Sequence, residues 1–147
     1  MIPLPPDFKE FLQVLNLSEV KYLLVGGYAV AWHGYPRTTA DIDIWVRVGP
    51  ENAERIMNAL RRFGFGGSNA STELFLRPDC VVRMGVPPFR IEILTGIAGV
   101  NFESCFDRRA QPIIDGIRVN VISREDLLIN KLSAGRAKDL ADVERLK

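Results

Sequence analysis

The strongest constraint on this chain lies in Asp41-Ile42-Asp43-Ile44-Trp45-Val46-Arg47-Val48. Side chains alternate across a strand, so Asp41, Asp43, Trp45 and Arg47 share one face while Ile42, Ile44, Val46 and Val48 share the other. The apolar set can bury against helices, which leaves two carboxylates side by side on the opposite face. Two such charges about 6 Å apart repel by roughly 3 kcal/mol at an effective dielectric near 20. A hard divalent cation turns that repulsion into chelation. Mg²⁺ takes oxygen ligands, usually together with substrate phosphates.

The residues before this strand carry the complementary chemistry. Tyr22 to Val25 is a short apolar run that stops at Gly26-Gly27, and a helix-like segment from Tyr28 to His33 ends at Gly34. A strand, a glycine pair and a helix start together suit a phosphate, because the free N–H groups of a helix N-terminus favour an anion. Glycine lets the backbone come close to it. In order, the pattern is apolar-Gly-Gly, positions 28 to 40, then Asp-apolar-Asp-apolar. It resembles the signature of the nucleotidyltransferase superfamily that includes polymerase-β-type enzymes.

The totals narrow the alternatives. A chain of 147 residues, 47% hydrophobic and 25% charged, reads as one globular domain over residues 1–147. A net charge of +1 gives no global attraction to nucleic acid or membrane, so any polyanion contact must be local. Cys80 and Cys105 are isolated, without zinc-type spacing, which points to a reducing cytoplasm. No apolar run approaches the roughly 20 residues of a membrane span, and Met1 to Pro6 lacks a secretion-signal pattern. His33 is the only histidine, which disfavours a Ser-His-Asp hydrolase and fits a capping or packing role. Carboxylate and metal chemistry remain.

Along the chain, Asp7 is a plausible N-cap for a helix bearing Phe8, Phe11, Leu12 and Leu15, and Lys21 to Val25 is the first strand. Pro50 opens a second long helix whose stripe is Ile56, Met57, Leu60 and Phe63, stopped by Gly64. Phe65 to Thr72 reads as a loop, Val81 to Met84 as a strand, and Val86-Pro87-Pro88 as an extended turn. Ile113 to Ile122 is a hairpin about Asp115-Gly116. Ser123 starts a capping-box-like helix, Arg124 to Ser133, with Leu127, Leu128 and Leu132 inward and Gly135 as its stop. Lys138 to Leu146 is the last helix, with Leu140, Val143 and Leu146 as its stripe.

Phe89 to Leu94 is the second informative strand. Phe89, Ile91 and Ile93 lie on one face, and Arg90, Glu92 and Leu94 on the other. If the apolar face enters the core, Glu92 can join Asp41 and Asp43. The other reading is an edge-strand Glu92 paired with Arg90. The superfamily resemblance implies a third carboxylate at this point, and here it is Glu where Asp is commoner.

A second resemblance lies in Lys131 followed by Arg136-Ala137-Lys138-Asp139-Leu140-Ala141-Asp142. It is similar to the corresponding segment of the abortive-infection-type nucleotidyltransferases, the AbiEii-like toxins and their small relatives. The resemblance runs from Lys21 onward through Gly26, Gly27, Arg37, Thr39, Asp41, Asp43 and Glu92. It implies an α+β fold, a small mixed sheet with helices on one face and an open nucleotide cleft. It further implies transfer of a nucleoside monophosphate from an NTP to a hydroxyl, with Asp41, Asp43 and Glu92 holding two Mg²⁺ ions. Gly26, Gly27, Arg37 and Thr39 would serve the nucleotide, and Lys131 the triphosphate; Lys131 also reads as a cation balancing a helix dipole. Asp139 and Asp142 read equally as catalytic groups or as structural partners of Arg136 or Lys138. The acceptor stays open between a protein, a tRNA end and a small alcohol. The alternative to an enzyme is a nucleotide-binding, antitoxin-like module working beside a partner of a toxin–antitoxin pair.

Overall fold

A four-stranded mixed sheet in the order β1-β2-β4-β3 organises the chain, which is seen in a computed structural model describing residues 4–35, 39–64, 71–85 and 89–147. The strands are β1 (Tyr22–Val25), β2 (Asp41–Val46), β3 (Val81–Met84) and β4 (Arg90–Leu94). β1 runs antiparallel to β2, β2 parallel to β4, and β3 antiparallel to β4. Arg37, the segment from Phe65 up to Ala70 and the Val86-Pro87-Pro88 turn lie outside the described residues.

Alternation sorts the sheet as the sequence implies. Ile42, Ile44, Ile91 and Ile93 are buried, while Asp41, Asp43, Arg90 and Glu92 point away from them. Two long helices, α1 (Pro6–Leu17) and α3 (Pro50–Phe63), pack on each other and bury Phe8, Phe11, Leu12, Leu15, Ile56 and Leu60 in the same core. Phe11 meets Phe63 edge-on at 5.1 Å, and Phe8 meets both Tyr28 and Phe89 in the same way. α1 starts at Pro6 behind Pro5, so Asp7 lies in the first turn, where it suits the dipole, rather than at the N-cap. Gly64 ends α3 in the left-handed conformation, as a C-terminal glycine does.

Two elements had no periodic signal long enough to be read from sequence. One is a 3-10 turn at Thr72–Leu76 that buries Phe75; the other is α4 (Phe102–Asp107), capped by the Asn101 side chain. α4 places Phe102 edge-on against Trp45 at 5.1 Å. Trp45 shares a face with Asp43, so α4 covers the far end of the carboxylate face.

The hairpin is shorter than its apolar run. β5 (Ile113–Ile114) and β6 (Ile117–Arg118) flank Asp115-Gly116, both at positive φ, the geometry a two-residue turn needs. The chain then leaves its partner and lies beside β1: the Leu24 N–H donates to Asn120 O, and the Ile122 N–H to Leu24 O. That detour carries α5 (Arg124–Ala134) and α6 (Ala137–Leu146) to the mouth of the sheet. Ser123 caps α5 by accepting from the Asp126 N–H at 3.1 Å. Leu132 and Leu140, expected inward, are about half exposed; α5 and α6 face each other through charged groups instead. No described helix is long and apolar enough to cross a membrane.

Asn52 fixes the end of the sheet opposite the carboxylates. Its side chain accepts from the Lys21 N–H at 2.8 Å and donates to Lys21 O and Arg47 O. Because all three backbone groups sit where the buried Asn52 is their partner, Asn52→Ala should cost about 2–4 kcal/mol of folding free energy in urea titration. A loss below about 0.5 kcal/mol would mean that water replaces the side chain.

Candidate functional site

Strand register builds the site before any side chain is considered. Val25 pairs with Asp43, Asp43 with Glu92, and Glu92 with Arg83, so one row crosses all four strands. The next row pairs Asp41 with Arg90. Above these rows opens a cleft of about 270 Å³ lined by Gly26, Gly27, Thr39, Asp41, Asp43, Lys131 and Arg136, among others.

Asp43 sits deepest. α2 (Gly26–Trp32) begins directly after β1, and Gly26 takes φ +68. A Cβ built on Gly26 would stand 2.1 Å from Asp43 Oδ2, so the first glycine is what makes room for this carboxylate. Asp43 Oδ1 is buried and has no hydrogen-bond partner. Burial, followed by the charge of Glu92 and a carboxyl–carboxylate hydrogen bond with it, pushes the Asp43 carboxyl up to about 7; Asp41 adds to the shift and Lys131 opposes it. Two adjacent carboxylates, one with an unsatisfied buried oxygen, form a site short of positive charge.

The other carboxylates are held differently. Glu92 accepts from Arg83 Nε at 3.1 Å, and Asp41 lies 3.7 Å from Arg90 Nε. The Glu92–Arg90 pair is thus replaced by Glu92–Arg83, because Arg90 stands opposite Asp41 in the parallel register and β4 is a central strand. Among the described residues, no three His, Cys, Asp or Glu side chains gather as a metal cluster. The sheet brings Asp43 and Glu92 together and leaves Asp41 turned to its arginine. The pair nevertheless fits Mg²⁺, which is commonly held by one or two carboxylates plus phosphates and water.

Cations face this pair from the C-terminal helices. Lys131 is 5% exposed, and its ammonium lies 3.2 Å from Asp139 Oδ1 and 3.3 Å from Asp142 Oδ2. Asp139 also accepts from Arg136 Nε at 2.6 Å and closes a capping box at the start of α6. Burial would raise the Asp139 carboxyl, but hydrogen bonds from Arg136 and Lys131 outweigh it and hold the group below its usual range. Asp139 and Asp142 therefore hold Lys131, a partner the sequence left aside in favour of Arg136 or Lys138. Lys138 lines the cleft.

Thr39 lines the cleft and donates to Asp41 O at 3.2 Å. His33 packs on Trp32, and its Nε2 lies 2.8 Å from Ile122 O, which ties α2 to the segment leading into α5. Sequence reasoning missed Arg83, Leu94, Ile97, Ala98 and Asn130, which border the site or its carboxylates. The one available signal for Arg83 was that it is the only polar residue of the Val81 to Met84 run.

A mixed sheet with an Asp-x-Asp strand beside a Gly-Gly helix start is the arrangement of the nucleotidyltransferase superfamily. Residues 7–147 match the family described as nucleotidyltransferase of unknown function, DUF6036, and the chain belongs to that family. No curated protein matches it in sequence. In structure it is similar to TM1012 of Thermotoga maritima, itself a candidate nucleotidyltransferase, with TM-score 0.62 and 17% identity over 94% of this chain and 88% of that one. It is also similar to an antigenic nucleotidyltransferase-like protein of Paracoccidioides brasiliensis (TM-score 0.52, 21% identity, 99% of this chain and 78% of that one). The lincomycin-bound lincosamide antibiotic adenylyltransferase LnuA matches over 98% of this chain and 96% of its own, with TM-score 0.56 and 16% identity. These likenesses show the fold; the abortive-infection likeness rests on the sequence motifs.

The raised Asp43 pKa makes stability depend on pH with a definite sign. The native state keeps a proton that the unfolded chain has lost between its ordinary 3.8 and about 7, so metal-free stability falls as pH rises through that window. Asp43→Asn should flatten this part of the curve and exceed the parent in stability above neutral pH, as read by urea unfolding in EDTA. An unchanged slope would show that Asp43 ionises normally.

Proposed function

We propose that this protein is a Mg²⁺-dependent nucleotidyltransferase that moves an NMP from an NTP to a hydroxyl. The observation that carries this reading is Asp43, with an unpartnered buried oxygen and Glu92 paired beside it in the sheet, in a cleft also lined by Lys131, Arg136 and Lys138. Asp41 and Asp43 would hold the Mg²⁺ that accompanies the triphosphate, and Glu92 with Asp43 the second ion expected of this chemistry. The ions would supply charge stabilisation for the attacking and leaving oxygens.

The chain's own residues then do the positioning. Gly26 and Gly27 present a backbone without side chains to the phosphates, where the first N–H groups of α2 lack helical partners. Lys131, held by Asp139 and Asp142, offers a fixed positive charge to the triphosphate, and Arg136 and Lys138 extend that wall. Arg37 is proposed as a further phosphate cation, and Thr39 as a cleft residue that holds the approach to Asp41 in place. Leu94, Ile97 and Ala98 give the cleft an apolar side suited to a base.

The test is incubation with labelled NTPs and Mg²⁺ in cell lysate, then identification of the macromolecule that carries the label. Glu92→Gln keeps the side chain's size and removes its charge. It should bind Mg²⁺-NTP within a few-fold of the parent and lose transfer by about two orders of magnitude or more. Unimpaired transfer in Glu92→Gln would return Glu92 to a structural partner of Arg83. A parent that binds NTP and labels nothing would favour the nucleotide-binding, antitoxin-like module.

A further inference from the structure

Arg83 and Arg90 lie outside the set of cleft-lining residues, yet each is bonded to one of the carboxylates on the same face of the sheet. The row Val25–Asp43–Glu92–Arg83 runs from β1 to the β3 edge. Gly26 and Gly27 stand at its β1 end, whereas Arg83 stands at the other. The site therefore carries two separate groups of cations. Lys131, Arg136 and Lys138 line the cleft itself, and one triphosphate is enough to occupy them.

The second group calls for a second anion. In an in-line displacement the incoming oxygen approaches opposite the leaving pyrophosphate. With the triphosphate at Gly26-Gly27 and under the C-terminal helices, the β3–β4 side is left for the acceptor. There the side chains of Arg83 and Arg90 are 62% and 43% exposed, and Val81, two residues before Arg83 on the same strand face, is exposed as well. Without a metal, these guanidinium groups balance Glu92 and Asp41. Were those carboxylates to hold a divalent cation, Glu92 and Asp41 would no longer need the two guanidinium groups, and Arg83 and Arg90 would be two forked donors free to turn to another anion. Guanidinium forks match the two-oxygen edge of a phosphate.

We propose that the acceptor carries a phosphate near its reacting hydroxyl, and that Arg83 and Arg90 receive it once Mg²⁺ has displaced them from Glu92 and Asp41. This rests on the nucleotidyltransferase reading above. In the reaction, a bond forms between the acceptor oxygen and the α-phosphorus. The bond from that phosphorus to the bridging oxygen breaks, pyrophosphate leaves with the electron pair, and the hydroxyl proton passes to solvent. Arg83 and Arg90 bind and orient and are themselves unchanged.

The test uses the full chain with Mg²⁺ and a non-reacting ATP analogue, against EDTA. The probes are a short single-stranded oligoribonucleotide, glycerol 3-phosphate, and glycerol as the phosphate-free control. A phosphate-bearing probe should bind the Mg²⁺-loaded parent about tenfold tighter than the metal-free protein. The double variant Arg83→Gln, Arg90→Gln should lose about tenfold or more of that affinity while binding the ATP analogue as the parent does. Binding of the oligoribonucleotide alone identifies a polynucleotide acceptor; binding of glycerol 3-phosphate as well identifies a phosphorylated small molecule. If the double variant fails to fold by thermal melting, Arg83→Gln alone, at the exposed sheet edge, is read instead. Metal-independent binding, no phosphate-dependent binding, or an unaffected variant would overturn the proposal. A parent that does not bind the ATP analogue would overturn the nucleotidyltransferase reading, and this inference with it.

Discussion

Asp43 is the residue on which the rest of the site depends, and its position is a packing consequence. The antiparallel register with β1 sets it beside Val25, directly against Gly26, and the parallel register with β4 sets it beside Glu92. Any side chain at position 26 would collide with its carboxylate. The sheet thus forces two acidic groups together in a place where one of their oxygens has no donor. A fold keeps such strain when something else supplies the missing charge.

That charge is arranged in advance on the opposite wall. Lys131 is buried between Asp139 and Asp142, and Asp139 is also bonded to Arg136, so each cation is held by a carboxylate of its own helix pair. Buried ion pairs contribute little net stability, but removing one partner strands the other. What this cluster secures is position: it joins α5 to α6 beside the cleft. The segment that brings them there is fastened to β1 by Leu24 and to α2 by His33. The lone histidine serves this connection, and burial keeps it mainly neutral by lowering its pKa.

The sheet and its carboxylate face were legible because period-two alternation needs only a few residues to declare itself. Asp41, Asp43 and Glu92 fell on one face by counting, and Gly49-Pro50, Gly64 and Asp115-Gly116 marked element ends through backbone geometry that other residues adopt less readily. The Thr72–Leu76 turn and α4 are too short for a helical period to emerge. Leu132 and Leu140 misled for a different reason. Their spacing is that of a buried stripe, yet the interface of α5 and α6 is built on Lys131, Asp139 and Asp142. Pairing partners lay further out of reach: that Glu92 meets Arg83 and Asp41 meets Arg90 follows from strand order, which no local pattern encodes.

The most direct measurement is the thermal midpoint of the nucleotide-free protein as a function of Mg²⁺, compared between the parent and Asp43→Asn. A ligand that binds only the native state stabilises it by about 2.7 kcal/mol at one hundred times its dissociation constant. If Asp43 and Glu92 form a cation site, Mg²⁺ raises the parent's midpoint in a saturable manner, and the more stable metal-free variant shows no such rise. Equal responses in the two proteins, or none in the parent even with NTP present, would contradict the account.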